Sequence, residues 1–450
     1  MDLLKKIINK HTLALASNAV MPVVGMLTLS LLAHYLSKAD FGNWTFFLIT
    51  YTLANFFRSG FLQTSLVKFY SGAGQERALN VAGSTWFLGF ALTLTLASLS
   101  FLAFLFFHVD VSTEIIIKWF GIIFLSSLPS NIALWILQAE ERFDRIFILQ
   151  LIGQVCFFLA IVTLIIFHQT HFQNVIYAYC ISEALTSLFA LVTGWANIRS
   201  IVYKSRVCIK ELANFGKYSV GTSISSYLLR GSDTFIIKFM FVNPAFVGIY
   251  YLPQRLMEII EIPLRSFIAT AMPAMSAASY RDDKKLVTYI MKKYAGILTI
   301  LLVPVIIAAI ISANLLIDVI GGKQFVQTEA ANIFRIFMCF AILLPVDRFF
   351  GITLDILNKP HINMIKVILM LTVNVAGDFI GIYITHSIYG VALASIFTFL
   401  IGILYGYWML KKFLNFTLMD IVKVGILETK LIIIDLPNRF KRKKDSIKNI

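Results

Sequence analysis

Continuous apolar runs of about 20 residues, separated by short polar or basic breaks, recur along the whole chain. A helix rising 1.5 Å per residue needs about that length to cross a hydrocarbon core roughly 30 Å thick. Twelve runs qualify: 13–36, 41–61, 83–107, 115–138, 146–167, 172–194, 215–241, 245–273, 288–312, 330–357, 362–385 and 390–410. They do not alternate with a period of two, so the pattern predicts helices and not a β-barrel. A spanning helix also satisfies its own backbone hydrogen bonds where no water is present.

Composition agrees with the pattern. The 450-residue chain is 58% hydrophobic and only 14% charged, with a mean hydropathy of +0.81, far too apolar for a soluble protein of this size. The start, "MDLLKKIINKH", is basic, but the apolar run behind it is long and has no small-residue cleavage site, so the first helix is expected to be retained. Cys156, Cys180, Cys208 and Cys339 have neither paired nor metal-type spacing. His34, His108, His168, His171 and His386 gather near one face without ligand-like spacing, and no metal site is predicted.

The charge distribution sets the orientation. Of the 39 Lys and Arg residues, 28 flank the spans on the side of the two termini, against Lys38 and Lys323 on the other. By the positive-inside rule both termini are cytoplasmic and the number of spans is even. The net charge of +15 belongs to these loops and to the tail "NRFKRKKDSIKNI", where anionic lipid headgroups are the nearer partner and no nucleic-acid motif occurs. Extracytoplasmic loops such as "HVDVSTE" and "HQTHF" are short and leave no room for a separate catalytic domain.

The longest cytoplasmic loop divides the spans six and six, giving an N-terminal lobe at 1–194, a linker at 195–214, a C-terminal lobe at 215–412 and a tail at 413–450. Aligning Gly42 in "DFGNWTFFL" with Gly248 in "FVGIYYLPQ" matches Trp44 to Tyr250 and carries the start of the third span onto that of the ninth. Six is even, so the repeat is parallel, about an axis along the membrane normal, as in transporters. The expected fold is an all-α membrane protein with two six-helix lobes around a central cationic cavity.

Charges inside the spans are the candidate chemistry, because an ionisable group near the bilayer centre costs roughly 2.5–3.5 kcal/mol unless it meets a partner or a wet cavity. In "SSYLLRGSDTFIIKFMF", Arg230 and Asp233 are three apart and suited to pair. In "PQRLMEIIEIPLRSF", Arg255, Glu258, Glu261 and Arg265 fall at about 0°, −60°, −120° and −80° on a helical wheel, all on one face. Arg58 in "NFFRSG" is the near-equivalent of Arg265 in the repeat. Arg335, Asp347, Arg348, Asp355, Glu183 and Asp378 are further intramembrane candidates, and Lys366, Lys118 and Lys238 are expected to snorkel. Arginine-rich lining suits an anionic substrate, since the guanidinium fork matches phosphate oxygens. Acidic partners would keep the arginines from being trapped in the empty state, or bind a coupling ion.

With its twelve spans, the stretches "SNAVMPVVGMLTLSLLAHYLSKADFGNWTFF" and "NFGKYSVGTSISSYLLRGSDTFIIKFMF…FVGIYYLPQRL" make the chain resemble the O-antigen flippase branch of the multidrug/oligosaccharidyl-lipid/polysaccharide exporter superfamily over residues 10–412. The resemblance implies a bacterial inner-membrane flippase, not an enzyme. Such a protein moves an undecaprenyl-pyrophosphate-linked oligosaccharide to the periplasmic leaflet by alternating access, alongside a polysaccharide polymerase or assembly proteins. Carried onto this sequence, substrate contact falls to Arg58, Arg230, Arg255, Arg265, Arg335 and Arg348, with Asp233, Glu258 and Glu261 pairing charge or coupling a proton or sodium ion; no cofactor is implied. The alternative is a cation-coupled multidrug exporter, which would want a cavity dominated by acids and aromatics. The segment "TLMDIVKVGILETKLIIIDL" is too interrupted by charge to span easily and is expected to lie on the cytoplasmic membrane surface as an amphipathic helix.

Overall fold

The computed structural model describes residues 10–106, 111–431 and 434. Among them every ordered element is helical: α1 Lys10–Tyr35, α2 Lys38–Tyr70, α3 Gln75–Phe106, α4 Val111–Ser126, α5 Leu128–Ala139, α6 Phe143–Ile166, α7 Phe172–Val192, a 3₁₀ turn Ile198–Tyr203, α8 Arg206–Met240 and α9 Ala245–Tyr280. They continue with α10 Lys284–Ile311, α11 Ala313–Gly321, α12 Lys323–Val326, α13 Ala330–Ala341, α14 Leu344–Ile356, α15 Pro360–Thr385, α16 Tyr389–Leu410, and α17 at 418–431. Each of the twelve expected spans falls on one helix or one broken pair. His108 lies outside the described residues.

Six helices, α3, α6, α7, α10, α15 and α16, are long and apolar enough to cross a membrane on length and composition alone. Two further spans are broken: α4 and α5 meet at 42°, α13 and α14 at 48°. Pro129 and Pro345 each sit in the first turn after the break, where the missing N–H costs no hydrogen bond while the ring blocks continuation of the preceding helix. These are the fourth and tenth spans, six apart, so the internal repeat extends to its irregularities. At 33, 35 and 36 residues, α2, α8 and α9 are about 50 Å long and outrun the hydrocarbon core.

The chain forms two compact units, one running up to Ile249 with Val319–Gln324 added, the other made of Tyr250–Asp318 and the residues from Phe325 on. In the first unit the glycines matched by the repeat pack on each other: a Cβ on Gly42 would stand 1.9 Å from the Pro244 carbonyl oxygen, and one on Gly248 3.2 Å from the Gly42 nitrogen. Their matched aromatics, Trp44 and Tyr250, are both buried. The loop between the halves is folded onto α3. There Trp86 Nε1 donates to the Ala196 carbonyl at 2.8 Å, and Gly83 lies so close to Ser200 that a Cβ would come within 2.1 Å of its oxygen. The inserted 319–324 segment is tied to α1 by Gln324 Nε2 donating to the Leu36 carbonyl at 3.0 Å.

Candidate functional site

The charged face expected on α9 exists, in the second unit. Arg255 Nη1 donates to both carboxylate oxygens of Glu258, at 2.9 and 2.8 Å, while its Nε bonds the Tyr251 hydroxyl. Further along α9, Arg265 Nη2 donates to Glu261 Oε2 at 3.0 Å. Arg348 of α14 brings its Nη2 to 3.8 Å from the other Glu261 oxygen. Two guanidiniums thus share one carboxylate, and three arginines face two glutamates. Arg265 keeps 65% of its side chain exposed and Arg348 35%, against 18% for the Glu261 between them. The acid is consumed within the protein and the cationic edges are left outward.

The other candidates are placed elsewhere. Arg335 is tied by Nη1 to Asn332 Oδ1 at 2.6 Å and by Nη2 to Asn314 Oδ1 at 3.2 Å. Arg230 is exposed on α8, and Asp233, one turn on, is buried. Arg58 does not behave like its repeat partner Arg265. It is wholly buried in the first unit, where Nη1 donates to the Phe124 carbonyl at 2.8 Å and Nη2 to Ser127 Oγ at 2.9 Å and Asn55 Oδ1 at 3.0 Å. The guanidinium lies 4.0 Å from the centre of the Phe124 ring, and Phe124 and Tyr179 both pack against Tyr51. Its Nε is buried with no hydrogen-bond partner. The break after Ser126 is what supplies Arg58 with a carbonyl and a hydroxyl, because helix ends leave such groups unspent.

Lys366 corrects the expectation that it would snorkel. Its side chain is 3% exposed, and Nζ donates to Asp347 Oδ1 at 2.7 Å and to the Asp347 carbonyl at 3.0 Å. Gly351, Gly402 and Gly406 make the room: a Cβ on Gly402 would meet Asp347 Oδ1 at 2.8 Å, and one on Gly351 would meet Lys366 Nζ at 3.4 Å. Lys366 belongs to a buried stripe on α15 that runs from Ile362 through Met370, Asn374 and Asp378 to Ile382, each four residues on. Asn374 donates to Asp378 Oδ2 at 3.2 Å and accepts from Thr398 of α16 at 2.9 Å. Asn374 and Thr398 were not among the sequence candidates; the four-residue spacing between Asn374 and Asp378 on α15 is the signal that could have marked the first, and Thr398 on α16 has none. No group of three or more metal-ligating His, Cys, Asp or Glu side chains occurs among the described residues.

Residues 31–330 match the family described as polysaccharide biosynthesis protein, two thirds of the chain. The chain belongs to that family. The chain is also 24% identical, over 197 residues, to a probable low-salt glycan biosynthesis flippase of Haloferax volcanii; the match spans 43% of this chain and 40% of that relative's length. Among solved structures it resembles an inward-facing multidrug resistance transporter of the MATE family, within the MOP superfamily, with a TM-score of 0.73 at 14% identity over 90% of this chain and 99% of the other. It also resembles the lipid II flippase MurJ in an inward closed conformation, with a TM-score of 0.69 at 15% identity over 95% and 92%. A third likeness, TM-score 0.56 at 15% identity over 89% and 93%, is to a superfamily transporter from Pyrococcus furiosus described as having a binding pocket of reverse polarity. The chain thus has the fold of MOP transporters, and its relatives are transporters and flippases, not enzymes.

Proposed function

We propose that this protein is a flippase for an undecaprenyl-pyrophosphate-linked oligosaccharide of the O-antigen or capsule type. It carries the headgroup from the cytoplasmic to the periplasmic leaflet of a bacterial inner membrane by alternating access, with both termini cytoplasmic. The observation that carries the reading is the arginine surplus around Glu261. A pyrophosphate offers several anionic oxygens at the spacing of a guanidinium fork, and Arg265 and Arg348 present two forks whose shared carboxylate neutralises only one of them. Family membership and the flippase relatives support the same substrate class.

The buried stripe on α15 serves the driving force in this proposal. Asp378, which accepts from the Asn374 amide nitrogen while the Asn374 oxygen accepts from the Thr398 hydroxyl, is a carboxylate inside an apolar helix pair, chemistry suited to a coupling proton or to attracting a cation such as sodium. Multidrug export is the second reading, favoured by the high structural likeness to the MATE transporter. An organic cation would meet a surface already rich in arginine, which disfavours it by like-charge repulsion.

A strain lacking its own flippase, scored for lipid-linked oligosaccharide in the outer leaflet, tests the proposal. The parent chain restores exposure, and Arg265→Ala or Arg348→Ala lowers it about tenfold or more, the value of a lost charge-assisted hydrogen bond. A parent that moves no lipid-linked sugar but extrudes cationic dyes would establish the export reading instead.

A further inference from the structure

Helix α17 is turned inside out relative to an ordinary surface helix. Its inner face consists of Ile421, Gly425 and Glu428, all buried. Gly425 crosses Gly296 of α10 so closely that a Cβ on Gly296 would stand 2.7 Å from the Gly425 Cα, and Glu428 takes an ion pair from Lys293 and a hydrogen bond from Tyr289. The one buried carboxylate of the helix is therefore spent on α10. Its outer face carries Met419, Val422, Ile426 and Leu427, which are 61%, 45%, 45% and 58% exposed, in an arc shared with exposed Lys423 and Lys430.

The depth of this face is fixed by what precedes it. The end of α16 has Lys412 Nζ 4.1 Å from the centre of the Trp408 ring and Lys411 Nζ 5.7 Å from that of Tyr407, the aromatic and basic pairing of a membrane–water boundary. Phe416 is buried against Tyr407 and Phe350, so the connector holds the start of α17 at that boundary. A helix at the interface that shows apolar side chains outward among lysines has acyl chains and acidic headgroups as its complement. The sequence after it adds six Lys and Arg between Arg439 and Lys448 against one Asp445.

From this juxtaposition we infer that the outer face of α17 is a binding surface for acidic phospholipid of the cytoplasmic leaflet, with Met419, Val422, Ile426 and Leu427 in the acyl region and Lys423 and Lys430 on the headgroups. The inference is independent of what the protein transports. The Gly296–Gly425 crossing and the Lys293–Glu428 pair are what present this face.

Photo-crosslinking of the full-length chain tests it. Benzoylphenylalanine in place of Met419 or Ile426 is irradiated in vesicles of equal parts phosphatidylcholine and phosphatidylglycerol, and the adducts are read by mass spectrometry. The expected products are phospholipid adducts with phosphatidylglycerol enriched several-fold, each lysine near an anionic surface being worth about fivefold. The pair Lys423→Gln with Lys430→Gln should bring the ratio close to parity, and the probe at the inward Ile421 should give no lipid adduct. Parity in the parent, a ratio unchanged by the double variant, crosslinks between two copies of the chain, or no adduct beyond water each overturn the inference. Met419, Lys423, Ile426 and Lys430 are exposed and Ile421 is buried, and a single symmetric species in gel filtration confirms that each variant, the one at Ile421 included, is folded.

Discussion

Separating the two partners of the Lys366–Asp347 pair should cost far more than removing both. At 2.7 Å the gross attraction is about 6 kcal/mol for an effective dielectric of 20, against a desolvation cost of several kcal/mol per ion, so the net value of the pair is small. Lys366→Met deletes the ammonium and strands a carboxylate that is 7% exposed, with Gly402 of α16 pressed against it. Losing one partner of such a pair costs about 3–5 kcal/mol. Asp347→Asn keeps an acceptor oxygen and should fall at the low end. The double variant has no buried charge left and should lie within about 1–2 kcal/mol of the parent, giving a coupling energy of about 4–7 kcal/mol. Unfolding in mixed micelles, titrated with a denaturing detergent and followed by circular dichroism, yields the four free energies. Costs of the single variants that add to that of the double within about 0.5 kcal/mol would show that the two groups do not stabilise each other, and the buried-pair reasoning would fail.

Gly42→Ala should destabilise by about 1–3 kcal/mol or force α9 to shift, since no Cβ fits 1.9 Å from the Pro244 oxygen; Gly25→Ala, with nothing within 4 Å, should be neutral or mildly stabilising, and equal thermal stabilities for the two would contradict the packing at Gly42. Glu428 is held below the usual glutamate range by the bond from Lys293 and then by that from Tyr289. Its folded-state value is depressed, so its stabilisation is fully present above the ordinary glutamate value of about 4.3 and lost as pH falls through the lower folded one. The gap in melting temperature between the parent and Glu428→Gln should therefore be widest near neutrality and close on acidification; a gap that does not change with pH rules out the carboxylate as its source.

How much of this was legible in the sequence depends on whether run length or partner choice decides the feature. Twelve spans follow from apolar run length, and the parallel repeat from one glycine alignment that the structure realises as a direct Gly42–Gly248 contact. The breaks at Ser127 and at 342–343 were not legible, because a proline in a membrane helix is equally compatible with a gentle kink, as Pro253, Pro263 and Pro273 inside the continuous α9 show. The α9 face was readable because i, i+3 and i+4 spacing constrains neighbours on one helix. Lys366 was not, because its partner is 19 residues away on another helix, and small residues on a third make the space. The tail was expected to be helical and membrane-associated, but the side it turns inward depended on a glycine crossing that no periodicity encodes.

Arg58 and Arg265 show how one repeat position acquires two roles. Both sit near the same place in their halves, yet the first unit gives Arg58 carbonyl, hydroxyl and amide partners from within its own bundle, and the second gives Arg265 a carboxylate already engaged by Arg348. Neutral dipoles at fixed positions hold the two terminal nitrogens of Arg58 without cancelling its charge, and with its Nε buried and unpartnered the guanidinium has no exposed edge. A carboxylate divided between two guanidiniums solvates neither completely, and each retains donors directed away from it. In the proposed function, the difference between dipolar and shared ionic solvation leaves Arg265, and not Arg58, with donors for an anion. Asn55→Ala and Ser127→Ala should accordingly lower stability by about 1–3 kcal/mol each. Glu261→Gln should instead leave stability nearly unchanged and alter the handling of the anionic substrate, and a reversal of the two outcomes in melting and flipping assays would assign the roles the other way round.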